Sequence, residues 1–342
     1  MSSKKLRVLL TNDDGPPGKD SPYIYGLYRH LTRDLGWDVR VVIPSTQKSW
    51  IGKAYQIHDI ISGKYYYPRD PDGAGEVSQQ PRPLKDDEVA EWILLDGTPA
   101  TCANIALHNL YPEEIDLLIS GPNHGRNSSA AFALSSGTIG AALSSSLSRL
   151  RSIALSYGIV LKPTPTTLIE PAHLLSSKIV RHLWENWGED EGGLRNGEVD
   201  LYNVNIPLIN DLLTEEGLPI CWTHMWRNSY GSLFKVHTPR EAASPMSAAG
   251  PDALDGPNDV RSSLGEKETP LKDLGNLLFK FAPDMQDLIN PALSTVPVGS
   301  DGWAILKGWV SVTPIRASFA EPGEQRLQSI ADVEQQVWKV KL

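Results

Sequence analysis

Leu6-Arg7-Val8-Leu9-Leu10-Thr11-Asn12-Asp13-Asp14-Gly15, near the start of this 342-residue chain, is the segment that indicates the fold most clearly. A short run of leucine and valine before a polar turn predicts a buried strand, and Asp13 and Asp14 come where it ends. In an open α/β sheet, ligands bind at the carboxyl ends of the strands. Two carboxylates about 4 Å apart repel each other by roughly 4 kcal/mol at an effective dielectric constant near 20. The pair therefore needs a cation, a shared proton or full solvation. Because ligands bind at this edge of the sheet, a cation is the most specific of these interpretations.

The composition is that of an ordinary globular protein, with 40% hydrophobic and 21% charged residues. A net charge of −9 argues against binding of polymeric nucleic acid, because a phosphate backbone requires a basic surface. The two cysteines, Cys102 and Cys221, exclude a disulfide framework and a cysteine zinc site. The sequence shows no apolar run of ~20 residues and no signal-peptide core, so it predicts a cytoplasmic protein that does not bind membranes.

Strands and helices alternate along the chain. Ser21-Pro22 has the pattern of a helix N-cap followed by proline, and the apolar residues behind it recur at helical spacing up to Leu35. Another apolar strand, Asp38–Pro44, follows at once, which predicts a right-handed crossover and a parallel sheet. Thr98-Pro99 repeats the cap signal before a second helix. The alternation predicts an α/β protein with a doubly wound core.

Four parts of the chain differ in pattern. Residues 4–237 hold the alternating core, and residues 238–275, rich in Pro, Ala, Ser and Gly, are predicted to be a surface insertion with a composition typical of disorder. Residues 276–320 are predicted to return to the core as a β-rich segment, with β character from Trp303 to Pro314. Residues 321–342 carry apolar side chains at helical spacing. This C-terminal helix must bury its apolar face on its own core or on a partner subunit.

Three loops follow predicted parallel strands and should meet at one edge of the sheet. They are Asn12–Asp14, Ser45–Ser49 and Ser120–Asn127. Their carboxylate, hydroxyl and amide oxygens suit Mg²⁺ or Mn²⁺. A fourth element, Ser135–Thr138, opens a helix, and the free amides of a helix N-terminus favour phosphate. A metal beside an anion site indicates phosphoryl transfer.

Several motifs in this order resemble the SurE (survival protein E) family of metal-dependent 5′/3′-nucleotidases and acid phosphatases. They are Leu9–Gly15, Asp96–Pro99 with Cys102, Ser120–Asn123 with Gly125 and Asn127, Ser136–Thr138, Asn203–Pro207 and Gly308–Pro314. The long insertions resemble those of the fungal acid-phosphatase branch. The resemblance implies a Rossmann-like three-layer α/β/α sandwich with a mostly parallel sheet. It also implies a C-terminal hairpin and helix exchanged between subunits of a homodimer or homotetramer.

The resemblance also implies the site. It assigns one divalent ion per subunit, Mg²⁺ or Mn²⁺, to Asp13, Asp14, Ser49 and Asn123. It makes Asp13 and Asp14 catalytic and assigns the phosphate of a small phosphorylated substrate to Asn127, Ser136 and Thr138. One of the aspartates would activate the attacking water or attack phosphorus itself, and the sequence leaves both routes open. One departure bears on substrate access, because Trp50 stands where the family often has glycine.

Two other classes compete with this interpretation. Phosphotransferases with an aspartate nucleophile usually space their acids as Asp-x-Asp, whereas Asp13 and Asp14 are adjacent. A non-catalytic metal- or nucleotide-binding scaffold on the same fold would not need to retain all four proposed metal ligands.

Overall fold

A computed structural model of the chain describes residues 5–161, 163–236, 277–283 and 285–320. The predicted insertion at 238–275 and the predicted C-terminal helix at 321–342 lie outside the described residues, and the four segment boundaries stay predictions. Among the described residues, no helix has both the length and the apolar character needed to cross a bilayer.

Twelve strands are found in the described parts of the chain. They are β1 (Arg7–Thr11), β2 (Asp38–Pro44), β3 (Gly63–Pro68), β4 (Gly75–Ser78), β5 (Trp92–Leu95), β6 (Leu117–His124), β7 (Arg151–Ile159), β8 (Leu201–Leu208), β9 (Ile220–Trp222), β10 (Phe234–Val236), β11 (Phe279–Phe281) and β12 (Val310–Ile315).

The helices are α1 (Ile24–Arg29), α2 (Pro99–Ile105), α3 (Ala130–Ser135), α4 (Gly137–Leu147), α5 (Ile169–Glu185), α6 (Gln286–Ile289) and α7 (Asp301–Leu306). Wider π-helical turns extend α1 over His30–Asp34 and α2 over Ala106–Leu110. Single turns of 3₁₀-helix lie at Thr166–Leu168, Asn210–Leu213 and Leu293–Thr295.

One large sheet organises the molecule, with its strands in the order β4-β3-β5-β2-β1-β6-β7-β8-β12-β9. Six neighbouring strands of this sheet are all parallel, namely β5, β2, β1, β6, β7 and β8. Strands β3 and β12, on either side of these six, pair antiparallel with β5 and β8. Strand β1 lies at the centre, between β2 and β6. The predicted α/β fold with a mostly parallel sheet is confirmed, and the loops after β1, β2 and β6 leave the same edge of the sheet.

Alternation along β1 produces the three layers. Val8 and Leu10 pack on one face of the sheet with apolar residues of α1 and α5. Leu9 points to the opposite face and packs with small residues of α2 and α4, including Cys102. A strand that buries side chains on both faces is typical of a parallel sheet covered by helices.

Three local predictions differ from the structure. Helix α1 begins at Ile24 without a side-chain cap, because the Ser21 hydroxyl donates to the Gly15 carbonyl oxygen at 2.8 Å instead. The strand predicted at Ile115–Ile119 is observed as β6, which continues to His124 through an irregularity after Ser120. The β character predicted from Trp303 begins only at β12, since Ser300 accepts from the Trp303 N–H at 3.2 Å and caps α7.

Candidate active site

A closed polar turn presents the two aspartates at the end of β1. The Asn12 carboxamide accepts from the Gly15 N–H at 3.1 Å and donates to the Gly15 carbonyl oxygen at 2.8 Å. Asn12 also donates to the Ser21 hydroxyl at 3.0 Å. Gly15 has a φ of +84°, which glycine adopts at no steric cost. Asp13 and Asp14 are therefore held on a rigid loop.

Both carboxylates are removed from water, since Asp13 and Asp14 are each 3% exposed. Asp13 Oδ1 accepts from the Thr138 hydroxyl at 2.6 Å, and Asp14 Oδ2 accepts from the His124 N–H at 2.9 Å. The other oxygen of Asp14, Oδ1, is buried without a hydrogen-bond partner. An ionised carboxylate oxygen in that state is costly unless a proton or a cation compensates it.

The pKa values of the pair express the same cost. Burial raises the pKa of Asp13 to about 6, although hydrogen bonds from Thr138 oppose the shift. Burial raises the pKa of Asp14 well above its usual range, and the neighbouring Asp13 charge raises it further. A divalent cation at this position would favour both ionised forms.

The loop after β2 joins the same site. The Lys48 N–H donates to the Asp13 carbonyl oxygen at 2.7 Å, which ties the two loops together. Gln47 Nε2 donates to the Ser49 hydroxyl at 3.0 Å. The Gly52 N–H then donates to the Ser135 carbonyl oxygen at 2.9 Å and anchors the far end of the loop beside α3.

A small pocket at this edge brings most of the predicted residues together. It is lined by Asp13, Ser49, Trp50, Asn123, Asn127, Phe132, Ser135 and Ser136. Asn123 is oriented by its own Nδ2, which donates to the Gly125 carbonyl oxygen at 2.7 Å. Asp14 and Thr138 are not among the residues that line this pocket.

The three predicted phosphate-binding residues occupy different positions. Ser136 lines the pocket and caps α4, its hydroxyl accepting from the Ile139 N–H at 3.2 Å. Asn127 also lines the pocket, and its Nδ2 donates to the Ser156 hydroxyl at 2.9 Å. Thr138 is fully buried and donates to Asp13, so its observed contact orients the carboxylate. A phosphate role for Thr138 stays a prediction.

Arg126 is also close to the site. It is buried, and its guanidinium donates to the Ile289 carbonyl oxygen. This contact joins the loop after β6 to helix α6.

Sequence reasoning assigned no role to the residues that hold the Asn127 backbone. Asn205 Oδ1 accepts from the Asn127 N–H at 2.7 Å, and Asn203 Nδ2 donates to the Asn127 carbonyl oxygen at 2.9 Å. Both asparagines are fully buried on β8. Two asparagines at alternate positions of a buried strand are the signal that could have identified them, because residues i and i+2 share one face.

Asp301 was missed as well, and no local pattern marks it. Its carboxylate accepts from the N–H groups of Ser129 and Gly302 at 2.7 Å and from that of Trp226 at 2.9 Å. The side chain is fully buried, and burial raises its pKa. Asp301 therefore fastens the loop that carries Asn127 to helix α7 and to the segment after β9.

The residues present fit a hard divalent cation. No group of three or more His, Cys, Asp or Glu side chains in the described part of the chain is arranged to hold a metal. An ion at this edge would therefore be held by the Asp13–Asp14 pair together with hydroxyl and amide oxygens, a donor set typical of Mg²⁺ or Mn²⁺. The partnerless Oδ1 of Asp14 is the observation that favours such an ion.

The family model described as "Survival protein SurE" matches residues 8–232, which contain this whole pocket. The chain belongs to the SurE family. The "5'-nucleotidase SurE" of Synechocystis is 31% identical over 210 residues, 60% of this chain and 63% of that protein. The "5'-nucleotidase SurE" of Dehalococcoides mccartyi is 29% identical over 205 residues, 59% of this chain and 64% of that protein.

A longer similarity links the SurE-family chain to a yeast protein. "Probable tubulin--tyrosine ligase PBY1" of Saccharomyces cerevisiae is 32% identical over 340 residues, which span 92% of this chain and 41% of that protein. The chain thus covers less than two thirds of the length of each of these three relatives. The crystal structure of the SurE protein from Aquifex aeolicus aligns with a TM-score of 0.57 at 21% identity, over 96% of this chain and 99% of that one. The alignment supports the shared fold.

Proposed function

We propose that this protein is a divalent-metal-dependent phosphomonoesterase that hydrolyses nucleoside monophosphates or other small phosphate monoesters. The buried Asp13–Asp14 pair, with one carboxylate oxygen lacking a partner, carries the proposal. Ser136, at the start of helix α4, adds an anion-binding end to the same pocket. The naming of bacterial SurE relatives as 5′-nucleotidases supports this substrate class.

The proposed cofactor is one Mg²⁺ or Mn²⁺ per subunit. Asp13, Asp14, Ser49 and Asn123 would hold it. Such an ion, when bound, polarises a phosphoryl oxygen and lowers the pKa of water at the site. Asn127 and Ser136 would position the phosphate at the opposite side of the pocket, and Thr138 would contribute beside them.

The aspartates would supply the base or the nucleophile. Asp13, oriented by the Thr138 hydroxyl, takes the proton of the attacking water in the route that we favour. In the other route a carboxylate oxygen attacks phosphorus, the bond to the leaving oxygen breaks, and water later hydrolyses the acyl phosphate. Isolation of a phosphorylated aspartate would establish the second route.

The other properties of the chain remain predictions. The name of the yeast relative describes a ligase, but this chain spans only 41% of that protein, so we do not extend a ligase activity to it. Assembly as a homodimer or homotetramer is implied by the family resemblance. A cytoplasmic location and the lack of polymeric nucleic acid binding are predicted from the sequence pattern and the net charge.

The test is phosphate release from a panel of nucleoside monophosphates and p-nitrophenyl phosphate, with Mg²⁺, Mn²⁺ or EDTA. We expect metal-dependent turnover that falls at least about 100-fold in Asp13→Asn, because the substitution removes a proposed metal ligand and the proposed general base. Asp59→Asn is the control, since it removes an exposed carboxylate that is not among the residues of the site. Near-normal turnover in Asp13→Asn would disprove the assignment. Metal binding without turnover in the wild-type protein would instead favour the scaffold interpretation.

A further inference from the structure

Trp50 has a backbone conformation that tryptophan rarely adopts. Its φ is +62°, in the left-handed region that favours glycine. Such a conformation costs about 1–3 kcal/mol and persists only where the surroundings impose it, which is most often at functional sites. The residue lies directly after Ser49 in the loop that follows β2, and both side chains line the pocket.

The indole of Trp50 belongs to a cluster from four separate parts of the chain, which we call the aromatic wall: Trp50, Phe132, Tyr230 and Phe281. The Trp50 ring meets those of Phe281, Phe132 and Tyr230 edge to face, at centroid distances of 5.2, 6.2 and 6.4 Å. Phe132 packs in turn with Met285 and Leu288. These contacts hold the indole in place.

The aromatic wall is continuous with the polar end of the pocket. Trp50 and Phe132 line the same pocket as Asp13 and Asn127. Phe132 is buried, whereas Trp50 is half-buried and Tyr230 is 43% exposed, so ring surface remains accessible. A monoester whose phosphate lies at the polar end would therefore place its leaving group against the wall.

The charge of the pocket restricts the kind of leaving group. Of the described residues that line it, Asp13 is charged and none is Lys or Arg. A second phosphate on the substrate would find no cationic partner in that lining, whereas a planar ring would find aromatic surface. Stacking of a base on an aromatic side chain contributes about 1–3 kcal/mol, and every base has a face that can stack.

We propose that the aromatic wall binds the planar ring of the substrate's leaving group and that Trp50 determines the preference for such esters. The proposal rests on the phosphomonoesterase function proposed above and adds the chemistry of the leaving group. Removal of the Trp50 ring should weaken aromatic ligands selectively, because the phosphate end of the pocket is unchanged.

Binding of phosphonates tests this inference independently of turnover, because their P–C bond is not hydrolysed. Dissociation constants of benzylphosphonate and propylphosphonate are measured by calorimetry, with Mg²⁺ present, for wild type and Trp50→Gly. Glycine adopts the φ of this position without strain, so the variant should remain folded. Benzylphosphonate should bind the wild type more tightly than propylphosphonate and lose roughly tenfold in affinity in Trp50→Gly, while propylphosphonate binding is unchanged.

Arg149→Gly is the matched control, since Arg149 is exposed and also has a positive φ, +59°. It should bind both phosphonates like wild type, and Trp50→Phe should retain most of the aromatic preference. Equal affinity of wild type for the two phosphonates, equal loss of both in Trp50→Gly, or no binding of either would overturn the inference.

Two further measurements identify the ring that binds and separate binding from turnover. The methylene phosphonate analogue of adenosine 5′-monophosphate shows whether the ring that binds is a nucleobase or a simple aryl group. Phosphate release from the corresponding esters is measured separately. Failure of turnover thus bears on the proposed function, and failure of the phosphonate preference bears on the aromatic wall.

Discussion

Gly137 shows how little space separates the first residue of helix α4 from the Asp13 carboxylate. A Cβ atom at residue 137 would lie 2.8 Å from Asp13 Cβ and 3.0 Å from Asp13 Oδ2. The backbone of α4 therefore packs directly against the Asp13 side chain. Thr138, the next residue, donates the hydrogen bond to Asp13 Oδ1. The two residues together fix where the carboxylate lies.

We expect Gly137→Ala to reduce kcat/KM roughly 10- to 100-fold, because the added methyl displaces Asp13 from its position. Thermal stability should fall as well, because a Cβ 2.8 Å from Asp13 Cβ forces the buried side chain or the helix to shift. Steady-state kinetics and a melting curve check both parts. Gly231→Ala is the control, because nothing lies within 4 Å of a Cβ added there. Unchanged kinetics in Gly137→Ala would show that the carboxylate does not depend on this contact.

At the scale of elements, strand β8 acts on the site through the backbone of a neighbouring loop. Asn205 accepts from the Asn127 N–H and Asn203 donates to the Asn127 carbonyl oxygen, so the loop after β6 is held on both sides of this residue. Both contacts are buried, and a buried N–H left without its acceptor costs about 1–3 kcal/mol.

Asn205→Ala should therefore lower kcat/KM by misplacing Asn127, and its effect should not add to that of Asn127→Ala. A double-mutant cycle in kcat/KM is expected to give an interaction energy of about 1–2 kcal/mol, because Asn205→Ala can misplace only a side chain that Asn127→Ala has already removed. Asn109→Ala, at an exposed asparagine, provides the control cycle. Full additivity of Asn205→Ala and Asn127→Ala would contradict the positioning role of β8.

Element boundaries show where local pattern is a weak guide. Thr98 caps α2 as the sequence predicts, with its hydroxyl accepting from the Thr101 N–H at 3.1 Å. Ser21 has the same Ser/Thr-Pro pattern but binds the Asp13–Asp14 turn instead. The Thr98 and Ser21 hydroxyls bind different partners because the fold places different groups beside them. The local sequence pattern does not show which groups these are.

For the whole molecule, His173 links acid stability to the packing of α5 on the sheet and on α1. Its Nδ1 lies 2.9 Å from the Tyr157 hydroxyl, and Gly26 of α1 provides the room for its ring, since a Cβ there would lie 2.2 Å from Nε2. Burial, reinforced by the charges of His30 and Arg29, lowers the pKa of His173 to about 3.

Because this pKa lies below the value of about 6.5 for an unfolded chain, the unfolded state binds more protons between these values. The stabilising effect of neutral His173 is complete above pH ~6.5 and is lost as the pH falls towards 3, by about 1.4 kcal/mol per pH unit. Urea unfolding between pH 7 and pH 5 should thus show a steeper loss for wild type than for His173→Asn. The exposed His108→Asn variant should keep the wild-type slope. Equal slopes for wild type and His173→Asn would contradict this account.

The parallel α/β core, the acidic turn after β1 and the set of oxygen-bearing loops could be predicted from the sequence, because strand periodicity and turn chemistry act between near neighbours. The loops that carry Asp13, Ser49 and Asn123 could be placed at one edge of the sheet by the rule that parallel strands present their carboxyl ends together. The pocket lining also includes Trp50 and Phe132, to which the sequence assigned no binding role in the site. The hydrogen-bond partners of the site residues follow only from the packing of the folded chain. Thr138 meets Asp13 across 125 residues, and Asp301 meets Ser129 across 172. Such contacts depend on how whole layers pack, and a residue's local pattern carries no information about which distant surface will face it.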